Sequence, residues 1–360
     1  MSDHHSVIII GAGLSGLYAA WKLRDEHDVI LLEARTRVGG RILSPSIGEQ
    51  NNSNIDLGPA WCWPQLQPRL QKLLLALNIK TFPQFTQGDM LYETNAGNIQ
   101  RYANQSSHGQ SYRIVGGCKS LIDKLASEII DSSIHTNTQV LGIDQQTMCI
   151  NTNSNGHETT YSADKIIIAL PLRILEQQIT FQPPVENNIL QQWRDTPTWM
   201  AGHCKIVFIY EHAFWREENL SGEVFSQQGP MSEIYDGSPA TEEYYALTAF
   251  IGLNAQQRAQ FNTEELIILC KEQLSRLFGH VSQNINDIQI MDWSTDIFTA
   301  SEIDIKTNAH HPQYPATASR SLANGNIILA GTETAIDYGG YLEGALESAE
   351  LALSILKQTN

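Results

Sequence analysis

Six residues near the start of the 360-residue chain, Gly11-Ala12-Gly13-Leu14-Ser15-Gly16, space three glycines as a phosphate cradle does. The apolar run Val7 to Ile10 leads into them and a helical pattern from Leu14 to Arg24 leaves them. In that setting Gly11 makes the turn, Gly13 admits a pyrophosphate to the backbone, and Gly16 lets helix and strand pack closely. The amides that open the helix, Ser15 among them, and the positive end of its dipole then face the anion. Glu33 ends the next apolar run, Val29 to Leu32, about twenty residues after the cradle, where a carboxylate accepts hydrogen bonds from ribose hydroxyls. That pairing favours an unphosphorylated ribose. The same residues also fit a glycine turn followed by a solvated acid, and the glycines alone do not separate one dinucleotide from another.

Three further groups carry chemistry. Glu33-Ala34-Arg35 and Val38-Gly39-Gly40-Arg41 bring a guanidinium fork close behind the cradle, suited to pyrophosphate oxygens, although an exposed arginine after a turn reads the same way. Near the other end, Ala330-Gly331-Thr332-Glu333-Thr334 and Gly339-Gly340-Tyr341-Leu342-Glu343-Gly344-Ala345 place a strand, a carboxylate loop and a glycine-rich helix start in succession, a second dinucleotide-sized anion site. Lys205 opens the apolar run Ile206 to Tyr210, where burying an ammonium is costly; it either works there or snorkels at a strand end. Gly58-Pro59-Ala60-Trp61-Cys62-Trp63-Pro64 offers two indoles that line a pocket or pack a domain seam. His310-His311-Pro312 has no carboxylate or cysteine at ligand spacing, so a polar loop and no metal are expected.

The two glycine-rich signatures with Arg41 resemble those of the flavin-containing amine oxidase superfamily, as in monoamine and polyamine oxidases. The resemblance covers about a third of the chain at high specificity and reaches further with weaker matches. It implies FAD, held by Gly11, Gly13, Ser15, Gly16, Glu33, Ala34, Arg35, Gly40 and Arg41 at one end. The adenine would meet the backbone of Val140, and Glu333 the ribityl or pyrophosphate region. Gly331, Gly340, Tyr341 and Leu342 would border the flavin, with Gly58, Pro59 and Ala60 running beside its ring. Lys205-Ile206-Val207-Phe208-Ile209-Tyr210, followed by Phe214-Trp215, matches the segment whose lysine holds a water against flavin N5. Tyr341 matches one of two rings that align the amine. At the other position, counted from the matching Trp293, stand Glu302 and Ile303, so the second ring and the cysteine that tethers flavin in some relatives are both missing. Noncovalent FAD and an altered pocket follow, with Trp61 or Trp63 as the replacement wall. A tryptophan at position 61, where amino-acid-oxidising relatives tend to place an arginine, weakens that substrate class; Arg101, Arg113, Arg194 and Arg216 are the substitutes.

The implied reaction takes a hydride from the α-carbon of a primary or secondary amine to flavin N5, giving an imine and, with O₂, hydrogen peroxide. The alternatives are an FAD-dependent dehydrogenase or desaturase of a non-amine substrate, and a catalytically silent FAD-binding module. The elements that must position these residues are an α/β, Rossmann-like doubly wound FAD domain, built from residues 1–78, 112–186 and 286–360, and an inserted mixed or antiparallel substrate domain from 79–111 and 187–285. Only about thirty-five residues separate Leu77 from Arg113, where relatives carry a long helical cap, so an open substrate entrance is expected. Hydrophobic residues make up 42% of the chain and charged ones 17%, an ordinary globular composition. A net charge of -16 disfavours nucleic acid and favours approach of cations. The N-terminus lacks an export pattern and no apolar run of membrane length follows, so a cytoplasmic protein, with no membrane partner and a possible homodimer, is expected. Cys62, Cys118, Cys149, Cys204 and Cys270 are scattered, as reduced thiols would be.

Overall fold

A run of consecutive apolar residues in a strand must be covered on both sides, and Val7 to Ile10 of the first strand meet that demand by feeding two cores. In Asp3–Ile10, Val7 and Ile9 pack into one cluster with Leu17 and Leu346, while Ile8 and Ile10 pack into another with Leu175 and Phe181. The computed structural model describes residues 3–47, 54–306, 311–314 and 320–358. Asp3–Ile10 pairs in parallel with Val29–Leu32 on one side and with His157–Ile168 on the other. Ile134–His135 and Ile327–Leu329 extend this parallel core at its two sides. The sequence suggests two short strands at Tyr161 to Ala163 and Lys165 to Ala169; they are one strand, His157–Ile168, whose first half pairs antiparallel with Cys149–Ser154. Asp164, where the apolar pattern breaks, is simply exposed on it.

Helices Leu14–Leu23 and Leu342–Gln358 lie on the same face of this sheet, joined by Leu17, Ala20, Leu346 and Ala349. A Cβ on Gly16 would stand 1.9 Å from the carbonyl oxygen of Gly11, so the first helix approaches its strand only because that position is glycine. Pro68–Ala76 starts with proline at a position needing no N–H, and its next two amides are satisfied from far away in sequence. Glu343, fully buried, accepts from the amides of Arg69 (3.0 Å) and Leu70 (2.9 Å). A carboxylate at a helix N-terminus satisfies orphan donors and meets the favourable end of the dipole.

The second sheet runs in the order Asp287–Asp292, Cys204–Tyr210, Tyr245–Ile251, Met231–Asp236, Leu220–Ser226, Asp89–Glu93 and Ile99–Tyr102. All pairs are antiparallel except Leu220–Ser226 with Asp89–Glu93. Alternation sorts its faces. Ile206, Phe208, Ile234 and Ala249 pack with Leu266, Cys270 and Leu274 of helix Thr263–Phe278. Val207 and Ile209 face the other way, against Ile55 and Leu57. Two boundaries expected from sequence move. Asp287–Asp292 belongs to this second sheet because it pairs with Cys204–Tyr210, and helix Asn187–Asp195 packs its Trp193 against Phe181 in the first domain's core.

The buried position of Glu343 makes a stability prediction. Glu343→Ala leaves the amides of Arg69 and Leu70 without their acceptor, while the Arg69 guanidinium keeps Glu350, and is expected to lower unfolding free energy by about 2–3 kcal/mol. Urea unfolding followed by circular dichroism checks it; a change within about 0.5 kcal/mol, the range of an ordinary surface substitution, would contradict the capping role.

Candidate active site

A cavity of about 330 Å³ runs between the two sheets, from Glu33 and Val140 at one end to Lys205, Phe250 and Tyr341 at the other. Its walls bring together Gly11, Gly13, Ser15, Ala34, Arg35, Gly40, Arg41, Gly58, Pro59, Ala60, Trp61, Trp293, Gly331, Gly340 and Leu342, residues from both ends of the chain. Gly16 and Glu333 stand behind the wall. Gly16 supplies close packing, and Glu333 acts through Arg41.

At the first end the Glu33 carboxylate, 3% exposed, accepts from the amides of Ala12 (2.9 Å) and Arg35 (2.9 Å). Each oxygen keeps a lone pair for a hydroxyl. The Arg35 guanidinium is held by Asp296 and by the Thr299 hydroxyl, so it ties this loop to the segment after Trp293. The Ser15 hydroxyl donates to the carbonyl of Ala330, which joins the N-terminal cradle directly to the C-terminal strand. Midway, Arg41 Nη2 lies 2.7 Å from Glu333 Oε1. The approach is off the hydrogen-bond direction, so both buried Glu333 oxygens have charge compensation but no hydrogen-bond donor. A flavin dinucleotide fits this donor set: free helix amides and a guanidinium for phosphate, and carboxylates with unused acceptor capacity for hydroxyls.

At the other end Lys205 is 2% exposed, and its Nζ donates to the carbonyls of Gly58 (2.7 Å) and Asp56 (3.0 Å). The rings of Trp61 and Phe250 each lie 5.3 Å from that nitrogen. Burial pushes the Lys205 ammonium down to about 8, with Asp56 pulling it up and Arg113 pushing it down. Asp56 is itself buried, accepting from the Ser44 hydroxyl (2.6 Å) and the Cys118 amide (2.8 Å). The snorkelling alternative for Lys205 is thereby removed: the whole side chain is inside.

Trp61 hydrogen-bonds Gln84 (2.7 Å) and stacks among His108, Tyr235 and Phe250 at 4.7, 5.2 and 6.1 Å. The ring against Tyr341 is a different one. His311 stacks on it at 4.9 Å and 20°, donates to the carbonyl of Gly339 (3.0 Å), and meets Trp199 edge-on at 4.8 Å. Trp199 also packs on Gly340, where an added Cβ would come within 2.6 Å of it. Sequence reasoning passed over Trp199, His203 and Phe250. Trp199 and His203 precede the Lys205 strand, and Phe250 carries no motif of its own, so only cross-strand register reveals them. His203 is pushed down to about 4 by burial and by Arg258, hence neutral. Of the arginines offered as carboxylate grips, none lines the cavity; Arg113 is buried on Ser238, and Arg101, Arg194 and Arg216 pair with Asp89, Glu176 and Asp236. His310 lies outside the described residues, and among those described no three metal-ligating side chains gather. Residues 79–111 contribute only short strands and loops, and Tyr341 keeps 38% of its surface exposed.

A cavity that joins a dinucleotide cradle to a buried lysine and an apolar, ring-lined chamber defines a flavoprotein oxidoreductase site. The model for flavin-containing amine oxidoreductases matches residues 88–352, and an NAD(P)-binding Rossmann-like model matches residues 9–77. The chain belongs to the flavin-containing amine oxidoreductase family, with FAD as its cofactor. It is 23% identical to a probable flavin-containing monoamine oxidase A of Dictyostelium discoideum, covering 97% of this chain and 96% of that one. It is 23% identical to human amine oxidase B, covering 98% and 86%. The first of these alignments spans 444 positions against 360 residues, so the relative carries segments that are lacking here. Among solved structures, a putrescine oxidase superposes with a TM-score of 0.82 at 20% identity, covering 99% of this chain and 100% of that one. The cyclohexylamine oxidase of Brevibacterium oxydans gives 0.81 at 19%, covering 99% of each. Among the described residues no helix is long and apolar enough to cross a membrane.

The depressed Lys205 has a measurable signature. In the unfolded chain it titrates near its ordinary 10.5, so between about pH 8 and 10.5 the unfolded state binds the extra proton. Unfolding free energy should therefore rise with pH through that window, and below pH 8 the buried ammonium costs the fold about 3 kcal/mol. Comparing wild type with Lys205→Met without cofactor, the difference in stability is expected to move in favour of wild type by about 2 kcal/mol between pH 8 and pH 9.5. Parallel stability curves for the two proteins would contradict a depressed lysine.

Proposed function

We propose that the chain oxidises a primary or secondary amine to an imine, with O₂ as the final electron acceptor and hydrogen peroxide as its product. The observation that carries this reading is the Lys205 clamp. A buried nitrogen is fixed by two loop carbonyls at the apolar end of a cavity whose other end is a dinucleotide cradle. When bound, FAD supplies the hydride-accepting centre. The residues then have four tasks. Arg41 and the helix amides neutralise the pyrophosphate. Glu33 accepts from the ribose. Trp61, Phe250 and Tyr341 exclude water and orient an apolar substrate with its nitrogen free. Lys205 holds a water and its protons at Nζ, on the side left open by the Asp56 and Gly58 carbonyls.

FAD is held without a covalent bond in this reading. Glu302 and Ile303 stand where relatives carry the second ring and the neighbouring tethering cysteine, no cysteine lines the cavity among the described residues, and burial pushes the nearby Cys62 thiol up to about 12. The imine is released to water for hydrolysis. The acidic surface, net charge -16, favours a cationic substrate.

The test is anaerobic. The purified yellow protein is mixed with a panel of amines, flavin bleaching is followed, and air is then admitted. Bleaching with recovery and peroxide is the expected result; bleaching without recovery assigns the electrons to another acceptor, and a yellow protein inert to every amine overturns the reading. Arg41→Ala should weaken FAD retention by roughly ten- to hundredfold, since it removes a charge-assisted phosphate contact and leaves Glu333 buried without its ion pair. Fluorescence titration of the stripped protein with FAD measures it, and unchanged affinity would remove Arg41 from the cofactor site.

A further inference from the structure

Lys205 meets one residue in two different ways. The backbone carbonyl of Asp56 accepts from Nζ at 3.0 Å, while the carboxylate of the same residue makes no bond to that nitrogen and acts on it through space. Asp56 is 3% exposed. Its Oδ1 accepts from the Ser44 hydroxyl and the Cys118 amide, and Ser44 in turn accepts from the Lys119 amide at 3.2 Å, so the pair satisfies the amides that open helix Lys119–Ser127. Its Oδ2 is buried with no hydrogen-bond partner among the described residues. Satisfying a helix amide takes one oxygen, and an asparagine would serve equally well. A buried carboxylate with one oxygen idle therefore carries a charge that the helix start does not explain.

Among the described residues, Asp56 is the one anion of the groups that face Lys205. Burial pushes the Cys118 thiol at the helix start up, as it does the Cys62 thiol, so both stay protonated. Tyr244, whose hydroxyl donates to the carbonyl of Asn54 at 3.0 Å, is also pushed up by burial and stays neutral. Phe250 and Met291, the cross-strand neighbours of Lys205, carry no charge, and neither does the Trp61 ring over it. Arg113, 7% exposed, adds a second cation, held by the Ser238 carbonyl at 2.7 Å and lying 5.6 Å from the Phe82 ring. Burial pushes the Asp56 carboxyl up, and Arg113, the Ser44 hydroxyl, the Cys118 amide and Lys205 hold it down. Two cations share this carboxylate when Lys205 is protonated, and one when it is neutral.

We propose that Asp56 is a positioning residue for the amine oxidation, whose carboxylate governs how readily Lys205 gains and releases a proton. This rests on the amine oxidase reading. A substrate that arrives as an ammonium reacts as a neutral amine, so one proton leaves its nitrogen in each turnover. The substrate N–H bond breaks, the proton passes through the water held at Nζ, and a new N–H bond forms on neutral Lys205; no electrons change hands. A carboxylate in contact with Nζ would lock the lysine as an ammonium unable to accept, and a site with no anion would leave it too weak a base. Asp56 avoids both outcomes, because its backbone fixes the nitrogen while its anchored side chain keeps the charge close but apart. An added Cβ on Gly117 would stand 3.0 Å from Oδ1, so the turn before the helix leaves the carboxylate no room to move that way.

The experiment unfolds the full chain in urea across neutral and alkaline pH as wild type, Asp56→Asn, Lys205→Met and the double variant. Asparagine keeps the acceptor for Ser44 and Cys118 and removes the charge. With Asp56 present, the stability difference between lysine and methionine at position 205 starts to rise near pH 8. Removing the carboxylate pushes Lys205 further down, so in the Asp56→Asn background the rise is expected to start lower by about one pH unit or more. Equal onsets in the two backgrounds overturn the proposal. Ser44→Ala, which breaks the anchoring bond and keeps the charge, is expected to lower stability while moving the onset by no more than about 0.3 unit; an onset displaced as far as in Asp56→Asn assigns the effect to packing and also overturns it. Should Asp56→Asn not fold, the reciprocal effect is read by carbon-13 NMR of the Asp56 carboxyl, which is expected to titrate about one unit higher in Lys205→Met than in wild type, and no difference overturns the proposal. In the FAD-loaded enzyme Asp56→Asn should displace the pH profile of kcat toward acid by the same amount; an undisplaced profile removes Asp56 from the reaction. If no amine bleaches the flavin, the oxidase reading fails, while a displaced onset still ties Asp56 to the charge of Lys205.

Discussion

Glu333 is a buried carboxylate, and a carboxylate buried without a partner would cost several kcal/mol. Its compensation is the guanidinium of Arg41, nearly three hundred residues away in sequence. That single ion pair obliges the N-terminal loop and the C-terminal loop to meet, and the cavity exists where they do. The Ser15 bond to Ala330 and the Glu343 cap on Pro68–Ala76 reinforce the same junction with neutral and charge-assisted bonds. Several groups needed to hold a dinucleotide therefore also close the first domain, which is why its anion site cannot be assembled from either end of the chain alone.

The second sheet solves a different problem. Its strands must bury one face against helix Thr263–Phe278 and present the other to the cofactor domain, and period-two alternation does both without extra structure. Lys205 falls on the presented face. Desolvation opposes its charge, but two carbonyls, the Asp56 charge and two aromatic faces leave it near a balance of protonated and neutral forms in mildly alkaline solution. A lysine so poised can hold a proton or release one, which an ammonium in bulk water near neutral pH does far less readily.

Much of the first domain was legible in the sequence because its signals are local. Gly11, Gly13 and Gly16 sit at a strand-to-helix junction, and at Gly11 and Gly16 the close backbone approaches leave no alternative residue, whereas a Cβ on Gly13 would meet only Gly40, at 4.0 Å. The strand through Ile206 to Tyr210 was readable because it is an uninterrupted apolar run of strand length. The expected split at 286 failed because Asp287–Asp292 owes its place to pairing with a strand eighty residues earlier, which no local pattern records. The same limit hid Phe250, whose position comes from its register opposite Lys205. Trp199, which meets His311, was passed over, and His311, which stacks on Tyr341, was read only as part of a polar loop, for a related reason: a loop side chain is placed by what it touches rather than by its neighbours in sequence.

The short cap redistributes the work of enclosing a substrate. With only strands and loops between Ile79 and Ser111, no helical layer is available to cover the chamber. Aromatic and imidazole rings from four other places take over: Trp61 after the Asp56 loop, Trp199 before the Lys205 strand, Phe250 within the sheet, and His311 on the last long loop. Rings suit this role because each buries a large area while losing little rotamer freedom, and edge-to-face contacts such as Trp199 with His203 fix their mutual angle. Enclosure by separate rings leaves gaps that a helical lid would close, and Tyr341 accordingly keeps 38% of its surface exposed.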